Sequence, residues 1–315
     1  MIPSKLYSNL TNEGFIQINN IIDSNTVQEI RHQLRILFEE KKIKRKGKIT
    51  RFLSPNDIID NKLLLDTIFN RQVISTLKNG LAEDFFMIPD FMVQRNMFGN
   101  YGNNDGWHVD SNSEGSSKHL FDNDYRFVKC GIYLQDNTSS WGGGIDYLPK
   151  GHIFPKKTGD FQKDMRTKNH DNMSKLRNHS KTLYSKAGDF IAFDSRLPHA
   201  STEPKSLKEP DIENNFVKNF PSKHDKYVIY WNACNKKTYA DLFMTHTFNR
   251  CQNYEMEKKD NPNNEYFFCE YLKRKFQQDY PSSFIQKILE NKINIPTLNE
   301  KLLAKLKAYN FKYDQ

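Results

Sequence analysis

The residues best suited to chemistry lie in Gly106-Trp-His-Val-Asp110. His108 and Asp110 are two apart, so on an extended segment both side chains point to one side. An imidazole nitrogen and a carboxylate oxygen can then bind one cation together. An H-x-D pair alone is a common coincidence, and a third ligand must come from elsewhere in the chain. The candidate is His199, at the end of Gly188-Asp-Phe-Ile-Ala-Phe-Asp-Ser-Arg-Leu-Pro-His199, which reads as a strand running into a histidine. Two imidazoles and one carboxylate on one face leave three coordination places open. That is the facial triad of non-heme Fe(II) oxygenases.

Such a triad has to be held by strands, and the middle of the chain supplies them. From Phe85 the sequence becomes short apolar runs divided by Gly and Asn clusters. The expected strands are Phe85–Phe98, Phe127–Gln135, Ile145–Leu148, Asp189–Phe193 and Lys226–Cys234. Before them the pattern is helical. Thr26-Val-Gln-Glu29 reads as a capping box, with Val27, Ile30, Leu34, Leu37 and Phe38 at helical spacing. Ile58–Leu77 reads as two short helices broken near Asn70-Arg71. Helical patterns return at Tyr239–Phe248, Tyr266–Phe276, Phe284–Leu289 and Leu302–Tyr309. The charged stretches Lys156–Lys181 and Lys205–His224 read as exposed excursions. Helices, then strands, then helices, with no internal repeat, imply a mainly β core with flanking helices and not a βαβ unit. Residues 1–235 are expected to form the β domain, with 236–315 a helical extension packed on the same core.

Composition narrows the classes. The 315 residues contain 23 Phe, 15 Tyr and 3 Trp, enough bulk for a packed core and too much for a disordered chain. No run of eighteen or more apolar residues occurs, so no membrane span is expected. The opening Met1-Ile-Pro-Ser-Lys5 lacks a signal-peptide pattern. Cys130, Cys234, Cys251 and Cys269 form no C-x-x-C pair, which suits a reduced, cytoplasmic protein better than a disulfide or zinc scaffold. The net charge of +9 is spread along the chain. It reads as solvated surface or as an attraction for anionic partners, among which nucleic acid is the less favoured.

Taken together, these motifs resemble the phytanoyl-CoA dioxygenase-like branch of the Fe(II)/2-oxoglutarate-dependent oxygenases, from about Asn12 to Asn235. Glu13-Gly-Phe-Ile-Gln-Ile18 is similar to the family's N-terminal segment, and Trp107-His-Val-Asp110 to its metal motif. Gly142-Gly-Gly-Ile-Asp-Tyr-Leu-Pro-Lys-Gly-His152 is similar to its glycine-rich turn, and Asp194-Ser-Arg-Leu-Pro-His199 to the strand carrying the distal histidine. The resemblance implies a double-stranded β-helix (jelly-roll, cupin-like) core. It further implies Fe(II) held by His108, Asp110 and His199, with 2-oxoglutarate and O₂ as cosubstrates. Because Asp110 is present where related halogenating enzymes have a small residue, it implies hydroxylation of a small-molecule substrate.

One position departs from the family. An Arg usually meets the far carboxylate of 2-oxoglutarate about ten residues past the distal His, yet no Arg lies between Arg196 and Arg250. Lys226, opening the last strand, is the expected substitute, able to make the charge pair but not the planar fork. Ser201 matches a family position that contacts the cosubstrate, and Tyr133 is a further donor. Arg196 reads either as a structural ion-pair partner or as a pocket cation. The basic excursions suggest an anionic substrate. A non-catalytic barrel of the same fold and a nucleic-acid-modifying oxygenase stay open as alternatives. Trp107 and Trp231 read as core or pocket wall, His152 as turn structure, and Gly142-Gly-Gly144 as a tight turn.

Overall fold

The computed structural model describes residues 5–40, 50–53, 55–96, 107–110, 120, 122–153, 179–202, 210–211, 216–217, 225–245, 247 and 280–296. The chain begins with α1 (Lys5–Glu13), β1 (Phe15–Ile18) and α2 (Ser24–Glu40). α2 buries Val27, Ile30, Leu34 and Phe38, one stripe of a helix lying on a core. Its start differs from the expected capping box. The cap is Asp23, whose carboxylate accepts from the Asn25 and Thr26 amides and from the Thr26 hydroxyl. These are amides that the first turn leaves unbonded, so Thr26 falls inside the helix.

β2 (Thr50–Leu53) precedes α3 (Pro55–Ile59), α4 (Lys62–Ile68) and α5 (Arg71–Gly80), three short helices where two were expected. The break at Asn70 is present, and a second lies at Asn61. Each asparagine caps the helix that follows it, accepting from the Gln72 and Leu64 amides respectively.

The strands follow as β3 (Phe86–Asn96), β4 (Phe127–Tyr133), β5 (Ile145–Tyr147), β6 (Lys181–Leu183), β7 (Phe190–Asp194) and β8 (His199–Ser201). The two-residue β9 (Pro210–Asp211) and β10 (Phe216–Val217) come next, then β11 (Lys226–Cys234). One sheet has the order β1-β7-β4-β11-β3-β2 and a second the order β6-β5-β8. Neighbours in both are antiparallel.

Alternation along each strand then sorts the side chains. Val128, Cys130 and Ile132 of β4 and Tyr227, Ile229 and Trp231 of β11 face the helices and join the larger core. Their alternates Tyr133 and Val228, with Ile191 and Phe193 of β7, pack instead on Ile145 and Tyr147 of β5. Two antiparallel sheets therefore share an interior, and helices cover the outer face of the larger one. This is the mainly β, double-stranded β-helix class expected from the sequence.

Residues 237–245 are helical. α6 (Ser282–Glu290) buries Phe284 and Ile288, and Phe284 lies edge-on to Phe69 and Phe91 within the larger core. The expected helices Tyr266–Phe276 and Leu302–Tyr309, and most of the two basic excursions, lie outside the described residues. Among the described residues no helix is long and apolar enough to cross a membrane.

Candidate metal centre

β8 meets the short segment around His108 through two backbone hydrogen bonds. The His108 amide donates to the His199 carbonyl and the His199 amide to the His108 carbonyl, each at 2.9 Å. Residues paired this way in an antiparallel ladder carry their side chains on one face, and the imidazole centroids lie 4.3 Å apart. Asp110, two residues on, returns to the same face. One of its oxygens is 3.5 Å from His108 Nε2, and the other is 4.0 Å from His199 Nε2. Ligand atoms of all three residues fall within 4.8 Å of one another.

The protonation states suit a cation. His199 Nδ1 is 2.9 Å from the Leu197 carbonyl. A carbonyl can only accept, so Nδ1 holds the proton and Nε2 keeps its lone pair for Asp110's side of the ring. Burial pushes His199 down to about 4, leaving it neutral near pH 7. Burial acts to raise the Asp110 carboxyl, but the His108 hydrogen bond and the neighbouring His199 and Lys129 outweigh it and hold the group well below the usual carboxylate range. A neutral His199 beside an ionised carboxylate is what metal binding requires. The His108 side chain is 55% exposed against 10% for His199, so the cluster opens toward solvent on the His108 side.

Beneath the cluster is a cavity of about 230 Å³ between the two sheets. His108, Asp110, His199, Tyr133, Ser201 and Lys226, six of the seven residues nominated from sequence, line it together. The seventh, Arg196, is elsewhere. Its guanidinium forks onto Asp194, with Nε 2.8 Å and Nη2 2.7 Å from the two carboxylate oxygens, and Nη1 donates to the Leu120 carbonyl. The Tyr125 ring covers it at 4.6 Å. Of its two readings the ion pair is the one present.

Lys226 points inward because it alternates with Tyr227, and its Nζ sits 5.6 Å from the Tyr133 ring centroid. Burial lowers its ammonium group to about 8. Trp231 packs on Phe190 in the helix-side core, while Trp107 is buried with Leu148 and Ala200. His152 bonds through Nε2 to the Thr11 carbonyl at 2.9 Å, pinning α1. Gly142 and Gly143 have φ of 67° and 80°, a left-handed turn that side chains resist.

Lining residues that the sequence reading did not nominate include Met92, Gln94, Lys129 and Tyr230. A signal existed for one of them. Lys129 is four residues before Tyr133 on the same strand, and the alternation that turns Tyr133 inward turns Lys129 inward too.

The sequence matches the family described as phytanoyl-CoA dioxygenase (PhyH) over residues 10–209. Comparison with curated proteins gives no match. Among solved structures, HygX from Streptomyces hygroscopicus with nickel and 2-oxoglutarate bound superposes with a TM-score of 0.50 at 12% identity, covering 73% of this chain and 86% of that one. The non-heme alpha ketoglutarate dependent epimerase SnoN from nogalamycin biosynthesis gives 0.49 at 12% identity, over 73% and 82%. At such identities the likeness to HygX is one of fold.

Proposed function

The chain belongs to the phytanoyl-CoA dioxygenase family of Fe(II)- and 2-oxoglutarate-dependent oxygenases, and from that premise we propose that it hydroxylates a small anionic molecule at a centre held by His108, Asp110 and His199. The observation that supports this is the convergence of two imidazoles and one carboxylate within 4.8 Å on the wall of an interior cavity. The donor set fits the metal: two imidazole nitrogens and one carboxylate oxygen suit a divalent first-row ion and leave places for other ligands. When bound, Fe(II) and 2-oxoglutarate supply the oxidising chemistry, in which the keto acid and O₂ give succinate, CO₂ and an oxygenated substrate carbon.

The chain's own residues supply position and charge. Leu197 fixes the His199 tautomer, and the Phe193 ring stands edge-on to that imidazole at 4.7 Å. Asp110 completes the ligand set, so the place that halogenating relatives give to halide is taken. Lys226, with Ser201 and Tyr133, receives the far carboxylate of 2-oxoglutarate on the inner wall. The buried ammonium group gains a counter-charge there, and the carboxylate is not left unpaired.

The test is Fe(II)-dependent release of succinate from 2-oxoglutarate by the purified protein. Release that needs iron and disappears in His108→Ala and His199→Ala supports the assignment. Full release in either variant would sink it.

A further inference from the structure

Two lysines enter the cavity, and they enter from opposite ends. β4 and β11 are antiparallel, with Val228 opposite Tyr133 and Asn232 opposite Lys129. Lys226 is therefore level with a point six residues along the ladder from Lys129, a Cα separation of about 20 Å at roughly 3.3 Å per residue. The two side chains lean toward each other over a pair of tyrosines. Tyr133 and Tyr230 have centroids 6.3 Å apart. Lys226 Nζ lies 5.6 Å from the first ring and Lys129 Nζ 5.4 Å from the second. Gly131, between Lys129 and Tyr133, makes room, since a Cβ there would come within 3.0 Å of the Tyr230 ring.

The candidate metal ligands are not midway between these charges. Phe193, paired with Lys129 across β7 and β4, stands edge-on to His199 at 4.7 Å, whereas Lys226 lies by the Gly143 turn, its Cδ 3.7 Å from where a Cβ on Gly143 would be. The candidate metal ligands thus lie toward Lys129, and a keto acid chelated there would reach past Tyr133 toward Lys226. Charge counting leaves a remainder. A divalent ion, one carboxylate ligand, a dianionic keto acid and two ammonium groups leave one positive charge over in a half-enclosed cavity, where charge is only partly solvated. The nearest internal alternative is Asp90, which is buried and already accepts from the Asn232 amide and side chain. Among the described residues Lys129 forms no ion pair, and its ammonium group lies against the Tyr230 ring.

We infer that Lys129 is a specificity-determining residue: it receives the anionic group, carboxylate or phosphate-like, of the primary substrate, on the opposite side of the metal ligands from the cosubstrate carboxylate. The inference rests on the oxygenase reading above and adds a subsite to it. A substrate whose acid group meets Lys129 beside Tyr230 and Met92 has its nearby carbons next to the metal ligands.

The experiment uses the anaerobic Fe(II)-loaded protein with 2-oxoglutarate, followed by the visible charge-transfer absorption of the chelated keto acid. Acetate, methylphosphonate and neutral acetamide are titrated in as probes. At least one of the two anions is expected to shift the band without bleaching it, and which one does so tells carboxylate from phosphate-like recognition; acetamide is expected to be silent. Lys129→Met should weaken the anion response about ten-fold and leave 2-oxoglutarate affinity within about two-fold, while Lys129→Arg keeps the response.

Should Lys129→Met lower 2-oxoglutarate affinity as Lys226→Met does, Lys129 serves the cosubstrate and the inference fails. It fails equally if the parent ignores both anions or if Lys129→Met responds as the parent does. Because Lys129→Met could leave Asp90 without a counter-charge, the double variant Asp90→Asn/Lys129→Met is titrated alongside; an anion response restored in it would mean that Lys129 only balances Asp90. Absence of any charge-transfer band in the parent would overturn the oxygenase reading itself, and this inference with it.

Discussion

A lysine in place of an arginine changes how a carboxylate site responds to pH. The Lys226 ammonium group is buried and its pKa falls to about 8 from an ordinary 10.5. A guanidinium would stay charged throughout. Above about pH 8 the free site loses its cation, so the Kd for 2-oxoglutarate is expected to rise by roughly ten-fold per pH unit. Stability should move the other way. Between about 8 and 10.5 the unfolded chain binds the proton that the folded chain has released, so unfolding free energy rises with pH across that window. Opposite trends in binding and stability are the signature, and parallel trends would remove Lys226 from the role. Lys226→Arg should abolish the alkaline limb. Lys226→Met should cost roughly 3–5 kcal/mol of cosubstrate affinity, two to four decades, without changing iron affinity, because the lysine does not touch the metal ligands. Asp110→Gly should stop hydroxylation; persistence at the parent rate would mean that another carboxylate completes the ligand set.

Elements place these residues through connections that sequence shows unevenly. The H-x-D spacing and the distal histidine were legible because metal ligation demands particular side chains at particular intervals. The inward face of β4 was less so. Phe127-Val-Lys-Cys-Gly-Ile-Tyr133 is covered on both sides, by helices and by the second sheet, so apolar residues occupy both faces and hydropathy marks neither as the cavity side; only the even spacing from Tyr133 turns Lys129 inward. Two helix starts were missed for a different reason. Asp23 and Asn61 act through local side-chain bonds, and a nearby Ser, Thr, Asp or Asn competes for the same reading. The turn before β7, at Gly188-Asp189, makes a sharp test. Gly188 has φ of 91°, and a Cβ there would lie 2.3 Å from the Ile22 carbonyl oxygen. Gly188→Ala should therefore cost at least ~1–3 kcal/mol from the backbone conformation alone, measured by denaturant unfolding. Because β7 leads directly to Asp194 and His199, metal affinity should fall in the same variant. A neutral substitution would show that the turn relaxes without disturbing the site.

For the whole molecule the open issue is whether the chain after Cys234 is an appendage or part of one folding unit. We propose one unit, on the packing of the described residues 280–296 against the helices and β3. Phe284 of α6 is fully buried and sits against Phe69 from the N-terminal helices and Phe91 from β3. Beyond it the Met87 amide donates to the Asn294 carbonyl and the Asn294 amide to that of Phe85, so the C-terminal segment is stitched to the start of β3. Lys287 adds an ion pair to Asp66 of α4 at 2.6 Å, though a partly exposed pair contributes little beside the aromatic contacts. β3 is the neighbour of β11 in the larger sheet, and it presents Met92 and Gln94 to the cavity. Loosening α6 therefore loosens a wall of the site. Phe284→Ala should destabilise by about 3–5 kcal/mol, the cost of emptying a large core position, and unfolding should remain a single transition. Ending the chain at Asn235 removes the same contacts together and bares Phe69 and Phe91, so that form should bind a hydrophobic dye and lose cosubstrate affinity at temperatures where the full chain keeps it. If the shortened chain instead melts at the parent temperature with 2-oxoglutarate still bound, the C-terminal helices belong to a separate unit, and their role must be sought away from the cavity.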